Sequence, residues 1–127
     1  MKKVILTVLI ALSVFTSSNA RNWDKVIKAI AVVESNNQTT AKNGHCVGVL
    51  QIMPILVKQC NKISNKHYTM DDRLNRDKSI EMFNIIQDYY NSEGNIEKAV
   101  RIWNGGPHYK KSSTSKYTKK VLAEYYK

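Results

Sequence analysis

The chain has 127 residues, with 20 Lys+Arg against 10 Asp+Glu and a formal charge of +10. That length supports one hydrophobic core and excludes a multidomain protein. The positive balance points to an anionic partner or an anionic surface.

Lys2 and Lys3 precede the apolar run Val4 to Phe15, and Ser18-Asn19-Ala20 supplies small residues before a cut. This predicts a cleaved export signal over residues 1–20 and a mature domain over 21–127. The apolar run is roughly a dozen residues, short of the about 20 that a membrane span needs. Removing the signal leaves 127 − 20 = 107 residues and, without Lys2 and Lys3, a charge of 18 − 10 = +8. Export places the expected site of action in the periplasm or outside the cell.

Asn22 is read as the cap of a first helix whose apolar positions Trp23, Val26, Ile27, Ile30 and Val33 carry it to about Glu34. Asn36-Asn37 and Asn43-Gly44 mark turns, with at most a small hairpin near Cys46 to Val49, and Pro54 opens a second helix through Lys62. In an exported chain, Cys46 and Cys60 are expected to form a disulfide tying the loop to this helix, worth about 3 kcal/mol by chain-entropy reasoning. Residues 68–77 read as irregular. Asp77 then caps a helix bearing Ile80, Phe83, Ile85, Ile86 and Tyr90 up to a stop at Gly94. Asn95 caps the next, with Ile96, Ala99, Val100 and Trp103, ending in Gly105-Gly106-Pro107. Ser115 starts the last, with Tyr117, Val121, Leu122 and Tyr125. No strand alternation and no repeat is visible, so the expected fold is mainly α, a small single-domain helical bundle.

Glu34 is a lone acid at the end of an apolar helix, and the glycine-led segment Gly48-Val49-Leu50-Gln51-Ile52-Met53-Pro54 follows about a dozen residues on. Such an arrangement suits a cleft with one proton donor, as acid-catalysed cleavage of a sugar bond requires, if neighbours such as Val33 and Leu50 raise the Glu34 pKa by desolvation. Gln51, an amide among apolar neighbours, must find partners if buried, either in the fold or on a substrate. His45, His67 and His108 lack ligand-pair spacing, so neither a metal nor a cofactor is expected.

Taken in order, Glu34-Ser35, the 48–54 segment, Ala99 to Gly105 with Trp103-Asn104-Gly105, and Tyr117 ahead of Lys120-Val121-Leu122 resemble the soluble lytic transglycosylase (SLT) domain of the lysozyme-like superfamily, over about residues 23–126. The resemblance implies a lysozyme-like fold around a glycan cleft. It implies Glu34 as general acid, then base, at the MurNAc–GlcNAc bond of peptidoglycan, with the sugar's own 6-hydroxyl attacking to leave a 1,6-anhydro end. Ser35, Gly48, Gln51, Met53, Trp103, Asn104, Gly105 and Tyr117 are carried over as substrate-binding residues. The family's usual Tyr-Asn-Ala-Gly is here Trp103-Asn104-Gly105-Gly106, which replaces a hydroxyl by an indole.

Asp71, Asp72 and Asp88 lie outside these motifs, so no second carboxylate stands out. A hydrolytic lysozyme, or a wall-binding or assembly accessory protein with weak or no activity, stays open beside the transglycosylase. The expected partner is the glycan strand, with the chain acting as a monomer and without nucleic acid. A secretion or conjugation apparatus, or a phage that must enter or leave a cell, would use such a domain. The lysines at 110, 111, 116, 119, 120 and 127 form a solvated face or one drawn to the anionic cell envelope.

Overall fold

The computed structural model describes residues 22–127, so the expected export signal lies outside the described residues. The Asn22 side chain accepts the Asp24 amide at 3.0 Å. Helix α1 (Asp24–Ser35) follows, burying Val26, Ile27, Ala29, Ile30 and Ala31 on one face. It stops because Asn36 and Asn37 both turn left-handed, at φ 52° and 63°. Their amides close back on the Val32 and Ala31 carbonyls at 3.0 Å each, a use of asparagine that other side chains resist.

Strands β1 (Lys42–Asn43) and β2 (Cys46–Val47) form the small antiparallel hairpin, Lys42 opposite Val47 and Asn43 opposite Cys46. Helix α2 (Pro54–Ser64) begins on its proline and buries Val57 and Cys60. A 3₁₀ turn, Met70–Leu74, occupies the stretch expected to be irregular and is closed by a Thr69/Asp72 capping box. Helix α3 (Arg76–Tyr90) is capped by Asn75, whose Oδ1 accepts the Lys78 amide at 2.9 Å, two residues before the expected Asp77.

The same helix ends before Gly94. The buried Asn91 side chain donates to Gln87 Oε1 and the Asn95 carbonyl and accepts the Asn95 amide, folding the chain directly into α4 (Ile96–Gly105). Helix α5 (Lys111–Tyr125) starts four residues ahead of Ser115. Arg101 reaches over from α4 to the Thr114 hydroxyl at 2.8 Å and the Lys111 carbonyl at 2.9 Å and holds that first turn. Tyr117 is therefore inside α5 rather than at its start.

Helix α5 packs along both α1 and α4, and α2 packs along α3. One core runs through all of them, with Ile30, Leu50, Phe83, Val100 and Val121 wholly buried. Phe83 sits at its centre, 5.0 Å from the Trp103 ring and 6.0 Å from Trp23. The fold is the mainly α bundle that the sequence predicts.

The expected disulfide is not formed: Cys46 and Cys60 are both free thiols. Cys60 lies on the core face of α2 and points its sulfur at the Met82 carbonyl of α3, 3.5 Å away, rather than at the hairpin. Burial pushes its pKa up to about 12, which keeps it a protonated, inert thiol. Thiol labelling of the native protein without reductant should therefore modify Cys46 first, with Cys60 becoming reactive only in denaturant, and reductant should leave the melting temperature unchanged. An absence of reactive thiols in denaturant would show that the bridge exists.

Candidate active site

Between β2 and α2 the chain passes through the interior as a loop, closed at its base by paired bonds between Val47 and Ile52 at 3.0 and 3.1 Å. Val49 and Leu50 are fully buried, so their carbonyls cannot turn to water and need donors from the protein. Ser35 Oγ, from the last turn of α1, donates to Val49 at 2.8 Å. Trp103 Nε1, from the end of α4, donates to Leu50 at 3.0 Å. Gln51 Nε2 donates to Gly48 at 2.9 Å and to Ala41 at 3.1 Å. Arg73 Nη1, from the 3₁₀ turn, donates to Ile52 at 3.0 Å and to His45 at 2.9 Å.

Glu34 precedes Ser35 in the last turn of α1. Its carboxyl is half-buried, and loss of hydration raises its pKa from the ordinary 4.5 to about 7. Tyr117 comes to it from the inner side of α5. The phenol is held well above its usual range, by burial first and by the Glu34 charge second. Among the described residues the buried Tyr117 hydroxyl has no hydrogen-bond partner.

Other carboxylates are occupied or exposed. Asp72 closes its capping box, Glu81 accepts from Tyr68, and Glu97 and Glu124 pair with Arg101 and Lys127. Asp71 and Asp88 are exposed. Among the described residues no group of three or more His, Cys, Asp or Glu converges as a metal ligand set.

Several motif residues thus meet around the loop, though not all in the expected role. Gly48, at φ 89°, has its free side filled by the Arg73 carbonyl, which a Cβ would meet at 1.7 Å. The glycine makes room for the protein's own backbone on that side. Gln51 holds φ 52°, rare for a side chain, and spends its amide N–H groups on the loop while its Oε1 takes no bond among the described residues. Trp103 uses its N–H inward, supplying a donor to the loop. Gly105 replaces the usual alanine because a Cβ would lie 2.8 Å from Thr114 Cγ2 and 2.9 Å from Tyr109 Cβ. Asn104 is exposed, and Met53 is the exposed residue leading into α2. Arg73 was not legible: nothing in its sequence surroundings marks a side chain that binds three carbonyls, including Met70 at 2.8 Å.

The family profile described as the transglycosylase SLT domain matches residues 13–125. The chain belongs to that family. SLT domains act on peptidoglycan, and the match takes in the site residues of this one together with the last part of the segment read as an export signal. No curated protein and no solved structure matches the chain significantly. No helix of this SLT domain among the described residues is long and apolar enough to cross a membrane.

Two outcomes follow from the geometry. Gly48→Ala combines a left-handed backbone with a collision against carbonyl, and is expected to cost on the order of 2–4 kcal/mol in denaturant unfolding; a loss near zero would show that the 3₁₀ turn moves freely. Glu34, with a folded pKa of about 7 against 4.5 unfolded, keeps in the folded state a proton that the unfolded chain releases. Its contribution is present below pH 4.5 and is lost as pH rises to about 7. The full swing is at most about 3 kcal/mol, reduced because water reaches the half-buried group. Glu34→Gln should therefore match wild type at pH 4 and exceed it in stability at pH 8; equal pH profiles would deny the raised pKa.

Proposed function

We propose that this SLT domain is an exported lytic transglycosylase that cleaves the MurNAc–GlcNAc bond of peptidoglycan and leaves 1,6-anhydro-MurNAc ends, with Glu34 as acid and then base. The observation that carries the reading is one half-buried carboxyl whose pKa burial raises to about 7, so that it keeps a proton close to neutral pH. Glu34 gives this proton to the bridging oxygen as the bond from C1 to that oxygen breaks, and the GlcNAc side leaves as an alcohol. The carboxylate then takes the proton of the MurNAc 6-hydroxyl as that oxygen bonds to C1. Charge and atoms balance, and one carboxylate serves both steps.

The loop and its neighbours support this cycle. Gln51 Oε1 and the exposed Asn104 offer an acceptor and an amide to sugar hydroxyls and N-acetyl groups, and Met53 supplies an apolar wall. Tyr117 holds an unpaired hydroxyl by the acid, ready to bond to the carboxylate once the proton has left. The hydrolytic alternative needs a second carboxylate opposite Glu34, and the acids whose partners are described above are held elsewhere.

Digestion of purified sacculi with mass analysis of the released fragments tests both parts. Wild type is expected to release fragments with anhydro ends, about 18 mass units lighter than hydrolysed ones because no water enters, and its rate should fall as pH rises above about 7. Glu34→Gln should lower the rate on the order of 10²–10⁴-fold. Reducing ends in a fresh digest would establish a lysozyme, and full activity of the Gln variant would remove Glu34 from the chemistry.

A further inference from the structure

The inner side of α5 buries Thr114, Thr118 and Val121, and its outer side is built differently. Lys116, Lys119, Lys120 and Ala123 are all exposed. Steps of three and four place them on one face of the helix. No acid stands among them: Glu124, on the flank, is paired with Lys127. Among the described residues Lys116, Lys119 and Lys120 form no ion pair.

At the end of this face the aromatic content rises. Tyr126 is 73% exposed, standing edge-on against Tyr125 with ring centres 4.9 Å apart. Lys25 of α1 lies 4.3 Å from the Tyr125 ring centre and 6.0 Å from that of Tyr126. Lys25 and Lys28 continue the positive surface across a shallow depression between α1 and α5. A convex strip of lysines ending in an amphipathic ring at the water boundary matches a flat anionic surface better than a threaded polymer, which needs a groove.

We infer that the outer face of α5, with Lys116, Lys119, Lys120 and Tyr126, docks the protein on anionic phospholipid headgroups. Tyr117 turns from the flank of the same helix toward Glu34, so the docking face and the candidate cleft use different sides of α5. The inference does not require Glu34 to be catalytic, since lipid binding is read without any turnover.

Co-sedimentation with vesicles tests it, using wild type and a K116Q/K119Q/K120Q variant of the same chain, expressed and purified identically. The vesicles are equimolar phosphatidylglycerol and phosphatidylcholine, with pure phosphatidylcholine as the baseline. Wild type is expected to bind the anionic vesicles in excess of the neutral ones and to lose that excess as salt shortens the range of the charges. Each lysine is worth roughly a factor of five near such a surface, so the triple variant should bind on the order of a hundredfold more weakly. Its activity on soluble glycan fragments should be unchanged. Equal wild-type binding to both vesicle types, undiminished binding by the variant, or capture by a soluble glycerol-phosphate polymer without capture by vesicles would each overturn the inference.

Discussion

Irregular backbone inside a protein must have its carbonyls bonded by the protein itself, and the loop from Val47 to Ile52 is the place where this domain meets that requirement. Water cannot reach Val49 or Leu50, and an unmet buried carbonyl costs about 1–3 kcal/mol. The donors come from the end of α1, the end of α4, the 3₁₀ turn and the loop's own glutamine. Each bond therefore does two things at once, satisfying the loop and fixing the position of the element that donates. Ser35 cannot leave Val49 without orphaning it, so the adjacent acid is held to the loop, and Trp103 holds the end of α4 to it in the same way.

The packing that fixes Glu34 also dries it. A carboxyl in water is ionised at neutral pH and has no proton to give; half-buried here, it retains one at the expense of fold stability above its pKa. Tyr117 shows the same opposition of demands, since a buried phenol with no partner among the described residues is unfavourable for the fold yet adjoins Glu34. Local rules of stability are broken at two neighbouring side chains and obeyed through most of the core, which is how functional sites commonly differ from their surroundings.

The helices were legible because their apolar periodicity is strong, and Asn95, Gly106 and Pro54 mark real ends. The errors fell on boundaries that tertiary contacts decide. Asn75 and Asp77 are both good caps two residues apart, and the 3₁₀ turn that ends at Leu74 leaves Asn75 to take the role. The start of α5 at Lys111 has no cap of its own and depends on Arg101 from another helix. The stop at Asn91 comes from a side chain that bonds in three directions once buried. At the candidate site, the order of the motifs singles out Glu34, Gln51, Trp103 and Tyr117, which the structure gathers around one loop, but chemistry alone could not show that Gly48 faces the Arg73 carbonyl. The two cysteines misled because sequence separation says nothing of direction: Cys60 faces α3.

The segment between the acid and the loop is anchored at both ends, paired as a hairpin in its middle and exposed at its tip. Its near end is set by the left-handed pair Asn36 and Asn37 and its far end by the bonded pair Val47 and Ile52, while Lys42, Asn43, Gly44 and His45 are exposed and a Cβ on Gly44 would meet open space. Length is therefore decoupled from the candidate site at the hairpin tip: residues added between Asn43 and Gly44 would lengthen the protrusion without moving Glu34 relative to Leu50. The tip is the natural place for related domains to differ in size, and for a fluorophore or affinity handle to be grafted onto this one.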